Sequence, residues 1–175
     1  MPKQNLLRYT DTDDRLYGIA GMTIGLLVYD ADQYIDHLDG NSSDLRAVEL
    51  TPDFFVYHNQ QLSAKGVWKA LLDRHKIMSA MVMGNILSRA AMGSRHAVDP
   101  QTLSQAIDLL AEQADDMLGL TPDENRRLVM QSYDYVSRAF RHPLVIDFVN
   151  HLHSALMHQP AMSRGDLFDL LAPLR

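Results

Sequence analysis

The 175-residue sequence contains no cysteine, which excludes disulfide bonds and thiolate chemistry. Its first residues lack the charged segment and apolar run of a secretion signal. The one charge-free apolar run, residues 17–29, is shorter than the roughly 20 residues needed to cross a bilayer. These absences predict a cytoplasmic chain without a membrane-spanning segment.

Sequence signatures of catalysis are also missing. The chain has no nucleophile elbow of the form G-x-S-x-G and no paired histidines of the form H-E-x-x-H. Its glycine-rich stretch, residues 18–25, lies inside a helical pattern, without the strand or the lysine that a phosphate-binding loop needs. Because catalytic groups can converge from distant positions, these absences favour a non-catalytic protein without excluding an enzyme.

The charge balance gives little support for a nucleic-acid partner. The formal net charge is -6, whereas nucleic-acid binders present a strongly basic surface to phosphates. Arginines concentrate around the fourth predicted helix, but acidic residues share that region, so a solvated, salt-bridged face is the preferred interpretation. The arginines are Arg126, Arg127, Arg138 and Arg141.

Apolar periodicity and capping signals predict an all-α fold, with one helical domain over residues 1–175 and a bundle of five or six helices. Residues 45–60 are left open, because they fit either a short extended connection or a helix that starts at Thr51-Pro52. The predicted helices run from Thr10 or Thr12 to Asp39, from Ser63 to Met92, from Asp99-Pro100 to just before Gly119, from the capping box Thr121–Glu124 to near His142, from Pro143 to His158, and from Ser163 to Leu171.

Small residues mark one face of the first predicted helix. Gly18, Gly21 and Gly25 form a stripe opposite the apolar face, although each glycine costs about 1 kcal/mol relative to alanine within a helix. Such positions let another backbone approach closely, which recovers dispersion contacts. Ala80 and Gly84 form a similar face on the second helix. We therefore expect tight packing there, with an intrachain contact favoured over a homodimer contact.

The second predicted helix also carries the candidate ligand-binding residues. Trp68 and His75 lie seven residues apart on its apolar face. A histidine in this setting is more often a buried neutral imidazole than a group in a ligand pocket. The pocket interpretation stays open as an alternative.

A candidate metal site lies on the fifth predicted helix. Asp147, His151 and His158 share one flank of that helix, and an aspartate and a histidine four residues apart face the same way. A solvated polar edge is the more ordinary interpretation, because other helices would have to complete the ligand set. No other cofactor is predicted.

Two function hypotheses follow from these patterns. The leading one is a non-catalytic helical domain that binds a protein partner or a second copy of itself, since two predicted helices are apolar around their whole circumference. The alternative is a helical bundle that binds a metal ion or a small ligand between its helices.

Overall fold

Six α-helices and three short strands occur in the part of the chain that the computed structural model describes, which is residues 7–55, 63–93 and 97–175, without the side chains of residues 115–117. The helices are α1 (Thr12–Leu27), α2 (Ala64–Met92), α3 (Pro100–Leu118), α4 (Pro122–Ala139), α5 (Pro143–His158) and α6 (Arg164–Leu171). The strands are β1 (Ile35–Asp39), β2 (Val48–Leu50) and β3 (Ala161–Ser163). The predicted helical bundle is confirmed, with a small sheet added to it.

Side-chain caps fix the starts of the helices. Asp11 accepts a hydrogen bond from the backbone N–H of Asp14 at 2.8 Å, which begins α1. The Ser63 hydroxyl caps α2 in the same way. In α4 the predicted capping box is confirmed, because Thr121 and Glu124 each accept a hydrogen bond from the other's backbone N–H.

The predicted extent of α1 is wrong, since the helix ends at Leu27 rather than at Asp39. Two backbone hydrogen bonds close the end, from Ala31 N–H to the Leu26 carbonyl at 2.9 Å and from Asp30 N–H to the Leu27 carbonyl at 3.0 Å. This pattern is a Schellman motif, in which the residue after the cap adopts the left-handed region. Asp30 does so, with φ of 53°.

The region after this turn supplies β1 and β2, which join β3 from beyond α5 in a three-stranded antiparallel sheet of order β2-β1-β3. Of the two alternatives left open for residues 45–60, the extended one occurs at β2, whereas Thr51-Pro52 begins only the 3₁₀ turn Pro52–Phe54; another 3₁₀ turn, Leu45–Ala47, precedes β2. Residues 56–60 of that predicted connection lie outside the described residues. Ile35 and Leu38 of β1 are fully buried, so the strand belongs to the core.

The middle segments of α1 and α2 form the centre of the molecule. Every residue from 18 to 26 in α1 and from 79 to 88 in α2 is buried. One apolar cluster joins α1 to the sheet, α5 and α6, and a second joins α2 to α3 and α4. The long α1–α2 pair therefore separates two layers. Within the described residues, no helix has both the length and the apolar character to cross a bilayer.

Candidate functional site

The small-residue faces of α1 and α2 meet inside the chain. A Cβ atom added to Gly21 would overlap the carbonyl oxygen of Gly84, and one added to Gly84 would overlap the carbonyl oxygen of Gly21. A Cβ atom on Gly25 would overlap the Ala80 carbonyl in the same way. Because α2 already covers this face of α1, neither stripe is open to another molecule.

Gly18 has a different neighbour, a polar cluster that joins the N-terminal segment to α2. The buried Asn85 amide lies against Gly18 and donates to the Tyr9 hydroxyl at 2.9 Å. Arg89 makes a two-pronged ion pair with Asp14, with both N–O distances at 2.7 Å. Its guanidinium also lies 4.8 Å from the centre of the Tyr9 ring. Sequence patterns do not indicate this cluster, because its hydrogen bonds and its ion pair join the N-terminal region to residues of α2 more than 70 positions further along the chain.

The cluster shifts two pKa values in opposite directions. Burial raises the pKa of the Tyr9 hydroxyl above its ordinary value. Burial also opposes ionisation of Asp14, but the hydrogen bonds from Arg89 and Thr10 outweigh it, so the pKa of Asp14 is lowered. The charged Asp14 is thus the form that the fold stabilises.

The three metal candidates of α5 lie on its exposed side. Asp147, His151 and His158 are all exposed, and the His158 Nδ1 atom is 2.7 Å from the Ser154 carbonyl of the same helix. Across the described ranges, no group of three or more histidine, aspartate or glutamate side chains is arranged to hold a metal ion. The structure therefore does not assemble these three residues into a ligand set.

The arginines of α4 have neighbours of their own. Arg126 pairs with Asp108 of α3 at 3.0 Å, and Arg138 lies over the Tyr135 ring at 5.9 Å. Arg127 donates from Nε to the Asp123 carbonyl at 3.3 Å. Of these arginines, Arg127 also lines a groove between α4 and α2.

This groove lies beside the first half of α2. No residue from 64 to 78, the first half of α2, is buried, in contrast to the fully buried segment that follows it. The Trp68 side chain is 41% exposed, and its indole N–H donates to the Leu118 carbonyl at 2.9 Å. We call the concavity beside it the α2–α4 groove. It measures about 390 Å³ and is lined by Trp68, Leu72, Leu120, Glu124, Arg127, Leu128 and Gln131.

The second ligand candidate, His75, is half-buried on the same helix and does not line the α2–α4 groove. Its Nε2 atom is buried and has no hydrogen-bond partner. Burial lowers the pKa of this imidazole, which favours the neutral form. Trp68 and His75 thus share a helix, but the structure does not bring them together at one concave site.

Comparison with known proteins adds no assignment to this geometry. Neither the family models, nor the curated proteins, nor the solved structures compared with the chain contain a match.

Proposed function

We propose that this chain is a non-catalytic protein-binding domain whose docking surface is the α2–α4 groove. The observation that carries the proposal is the contrast between the two halves of α2. Residues 79–88 are buried without interruption, whereas residues 64–78 hold apolar side chains and contain no buried residue. Exposed apolar surface of this kind, bordered by polar residues, is typical of interaction sites.

The side chains that line the α2–α4 groove include types found at the centre of protein–protein interfaces. Tryptophan is among the residues that contribute most to binding when a partner covers them. The hydrogen bond from Trp68 to the Leu118 carbonyl holds the indole in one orientation, so little conformational entropy remains to be lost on binding. Leu72 and Leu128 extend the apolar surface on the two sides of the groove.

The shape of the α2–α4 groove favours a helical ligand. A groove between two packed helices accepts a third helix that lays its apolar face into it. The half of α2 without a buried residue, residues 64–78, spans about 22 Å at 1.5 Å per residue, which corresponds to four turns of a bound helix. The proposed occupant is therefore an amphipathic helix of another protein.

Trp68 is the only tryptophan of the chain, so its fluorescence reports on the groove directly. The full chain is titrated with a neutral amphipathic peptide of about 18 residues, with leucines at i, i+3, i+4 and i+7. The control is a scrambled peptide of identical composition. We expect a saturable blue shift with the first peptide and none with the second. Absence of a shift with both peptides, or an equal shift with both, would contradict the proposal.

Two leucine variants locate the binding site. Leu72→Ala removes apolar contact surface from the α2–α4 groove and should weaken peptide binding. Leu144→Ala removes a leucine of the same type on α5, where the side chain is 45% exposed, and should leave binding unchanged. Equal effects of the two variants would place the binding elsewhere.

The oligomeric state distinguishes a foreign partner from a second copy. Under the proposal the purified chain is a monomer in analytical ultracentrifugation at micromolar concentration. A dimer that dissociates in the Trp68→Ala variant would replace the foreign helix by a second copy as the occupant.

A further inference from the structure

We propose that the helix bound in the α2–α4 groove is acidic, an inference that rests on the proposed function and specifies its partner. The lysines of the chain carry it. The sequence has four lysines. Three of them belong to the described residues, and all three lie in the first half of α2: Lys65, Lys69 and Lys76. The chain as a whole has a formal net charge of -6.

Helical geometry places these lysines beside the apolar residues that α2 contributes to the α2–α4 groove. Positions 65, 69, 72 and 76 are separated by four, three and four residues, so they lie along one face of α2. Lys65 is one turn from Trp68, and Lys69 is one turn from Leu72. Arg127 supplies a further cation from α4, on the opposite side of the groove.

Among the described side chains, which do not include those of residues 115–117, no ion pair joins Lys65, Lys69 or Lys76 to a carboxylate. The lysines differ in this respect from Arg127, because hydrogen bonds from Thr121 and, after them, the charge of Arg127 lower the pKa of the Glu124 carboxyl. The nearby Glu124 carboxylate accepts hydrogen bonds from the backbone N–H and the hydroxyl of Thr121, at 2.8 and 2.9 Å. Glu124 lines the groove on its α4 side, so the excess of positive charge lies on the α2 side, where the three lysines are.

The charge on the α2 side of the groove indicates the charge of the bound helix. An apolar surface with three lysines along its α2 side attracts a ligand with an apolar stripe flanked by aspartate or glutamate. Such charges also accelerate association and oppose a basic partner. An anionic membrane offers negative charge as well, but its surface is flat, whereas this site is a concave groove between two helices.

The experiment uses two peptides with the same leucine stripe as the neutral peptide and with glutamate or lysine at the flanking positions. The readout is the Trp68 fluorescence of the full chain, at about 50 mM and about 300 mM salt, because screening weakens exposed ion pairs. We expect the glutamate peptide to bind at least about tenfold more tightly than the lysine peptide at low salt, the effect of two or three exposed pairs. The difference should shrink at high salt.

A pair of charge reversals tests whether the lysines of α2 cause the preference. Lys69→Glu should reduce or reverse the advantage of the glutamate peptide. Arg141→Glu makes the same change at an exposed cation beyond the end of α4 and should leave the advantage intact. Both positions are exposed, and thermal unfolding verifies that each variant folds.

The outcomes separate this inference from the proposed function. Equal affinity for the two charged peptides would overturn the acidic partner while the protein-binding function stands. Absence of binding by the neutral and both charged peptides would overturn the function itself. The remaining outcome is a shift of the Trp68 emission with vesicles of phosphatidylserine and phosphatidylcholine and with none of the peptides. That outcome would overturn the protein partner and indicate a membrane surface as the occupant.

Discussion

At the residue scale, the contact between α1 and α2 depends on two glycines, because any larger side chain at these positions would keep the two backbones apart. Gly21 and Gly84 each lie against the other's backbone carbonyl. Glycine costs about 1 kcal/mol relative to alanine inside a helix, so both positions are unfavourable for the isolated helices. The close approach offsets this cost through dispersion contacts along two fully buried segments.

Substitution of Gly21 by alanine should therefore destabilise the protein. The added methyl group meets backbone atoms that cannot rotate away, and we expect a loss of about 3 kcal/mol in the free energy of unfolding. Urea denaturation measures the change. The matched control is Gly165→Ala in α6, where the nearest atom to an added Cβ is 3.8 Å away, and it should stabilise the protein by about 0.5 kcal/mol. Equal effects at the two glycines would refute the close contact.

The Asp14–Arg89 ion pair leads to a pH-dependent prediction. The pKa of Asp14 is lowered in the fold, so the carboxylate stabilises the folded state above its unfolded pKa of about 3.9. This contribution is lost as the pH falls through the lower pKa of the folded state. Asp14→Asn should cost about 2 kcal/mol near pH 7, and its difference from the unsubstituted chain should shrink below about pH 4. Urea denaturation across this pH range would contradict the account if the difference stayed constant.

At the scale of elements, the end of α1 decides how the sheet forms. Apolar residues continue at helical spacing beyond Leu27, at Ala31, Tyr34 and Leu38, and this periodicity led to a helix prediction through Asp39. The left-handed conformation of Asp30 redirects the chain instead, and the following segment becomes β1. The spacing of three and four residues did not distinguish a helix from a turn followed by a strand.

Substitutions at Asp30 test this helix end. A non-glycine residue in the left-handed region carries a cost, so Asp30→Gly should stabilise the protein by about 1 kcal/mol. Asp30→Val should destabilise it, because a branched side chain fits this region poorly. In the control, His37→Gly at an exposed position of β1 that is paired on both sides, glycine should cost about 0.5–1 kcal/mol. Thermal unfolding measures these changes, and an equal loss of stability in both glycine variants would argue against the Schellman motif.

The sequence predicted the helices far better than the sheet. Caps and proline breaks are local, so the starts of α2, α4 and α5 could be located within a residue. The partner of β1 on one side is β3, more than 120 residues further along the chain. No local sequence pattern predicts that pairing. Tertiary context of this kind overrides the local pattern.

The candidate site was predicted only in part. Trp68 was named as a ligand-binding candidate, but its groove also needs Leu120 and Leu128 from a separate part of the chain. Lys65, Lys69 and Lys76 follow helical spacing along α2, so their common face can be predicted from the sequence. A basic cluster interleaved with apolar residues was the available signal.

At the scale of the whole molecule, folding and binding are assigned to different halves of α2. The second half is part of the central α1–α2 pair, between two apolar clusters. The first half leaves Trp68 and Leu72 accessible beside α4. This division predicts that changes in the groove alter binding with little effect on stability, since the buried segments are not involved.

Hydrogen–deuterium exchange of the full chain, with and without the glutamate peptide, tests the central claim most directly. Bound peptide should slow exchange in the first half of α2 and in the neighbouring first half of α4, because a partner would cover the groove between them. Exchange in α5 should be unchanged, since that helix packs in the opposite layer. Protection confined to α5, or no protection in α2 and α4 at saturating peptide, would contradict the proposed docking surface.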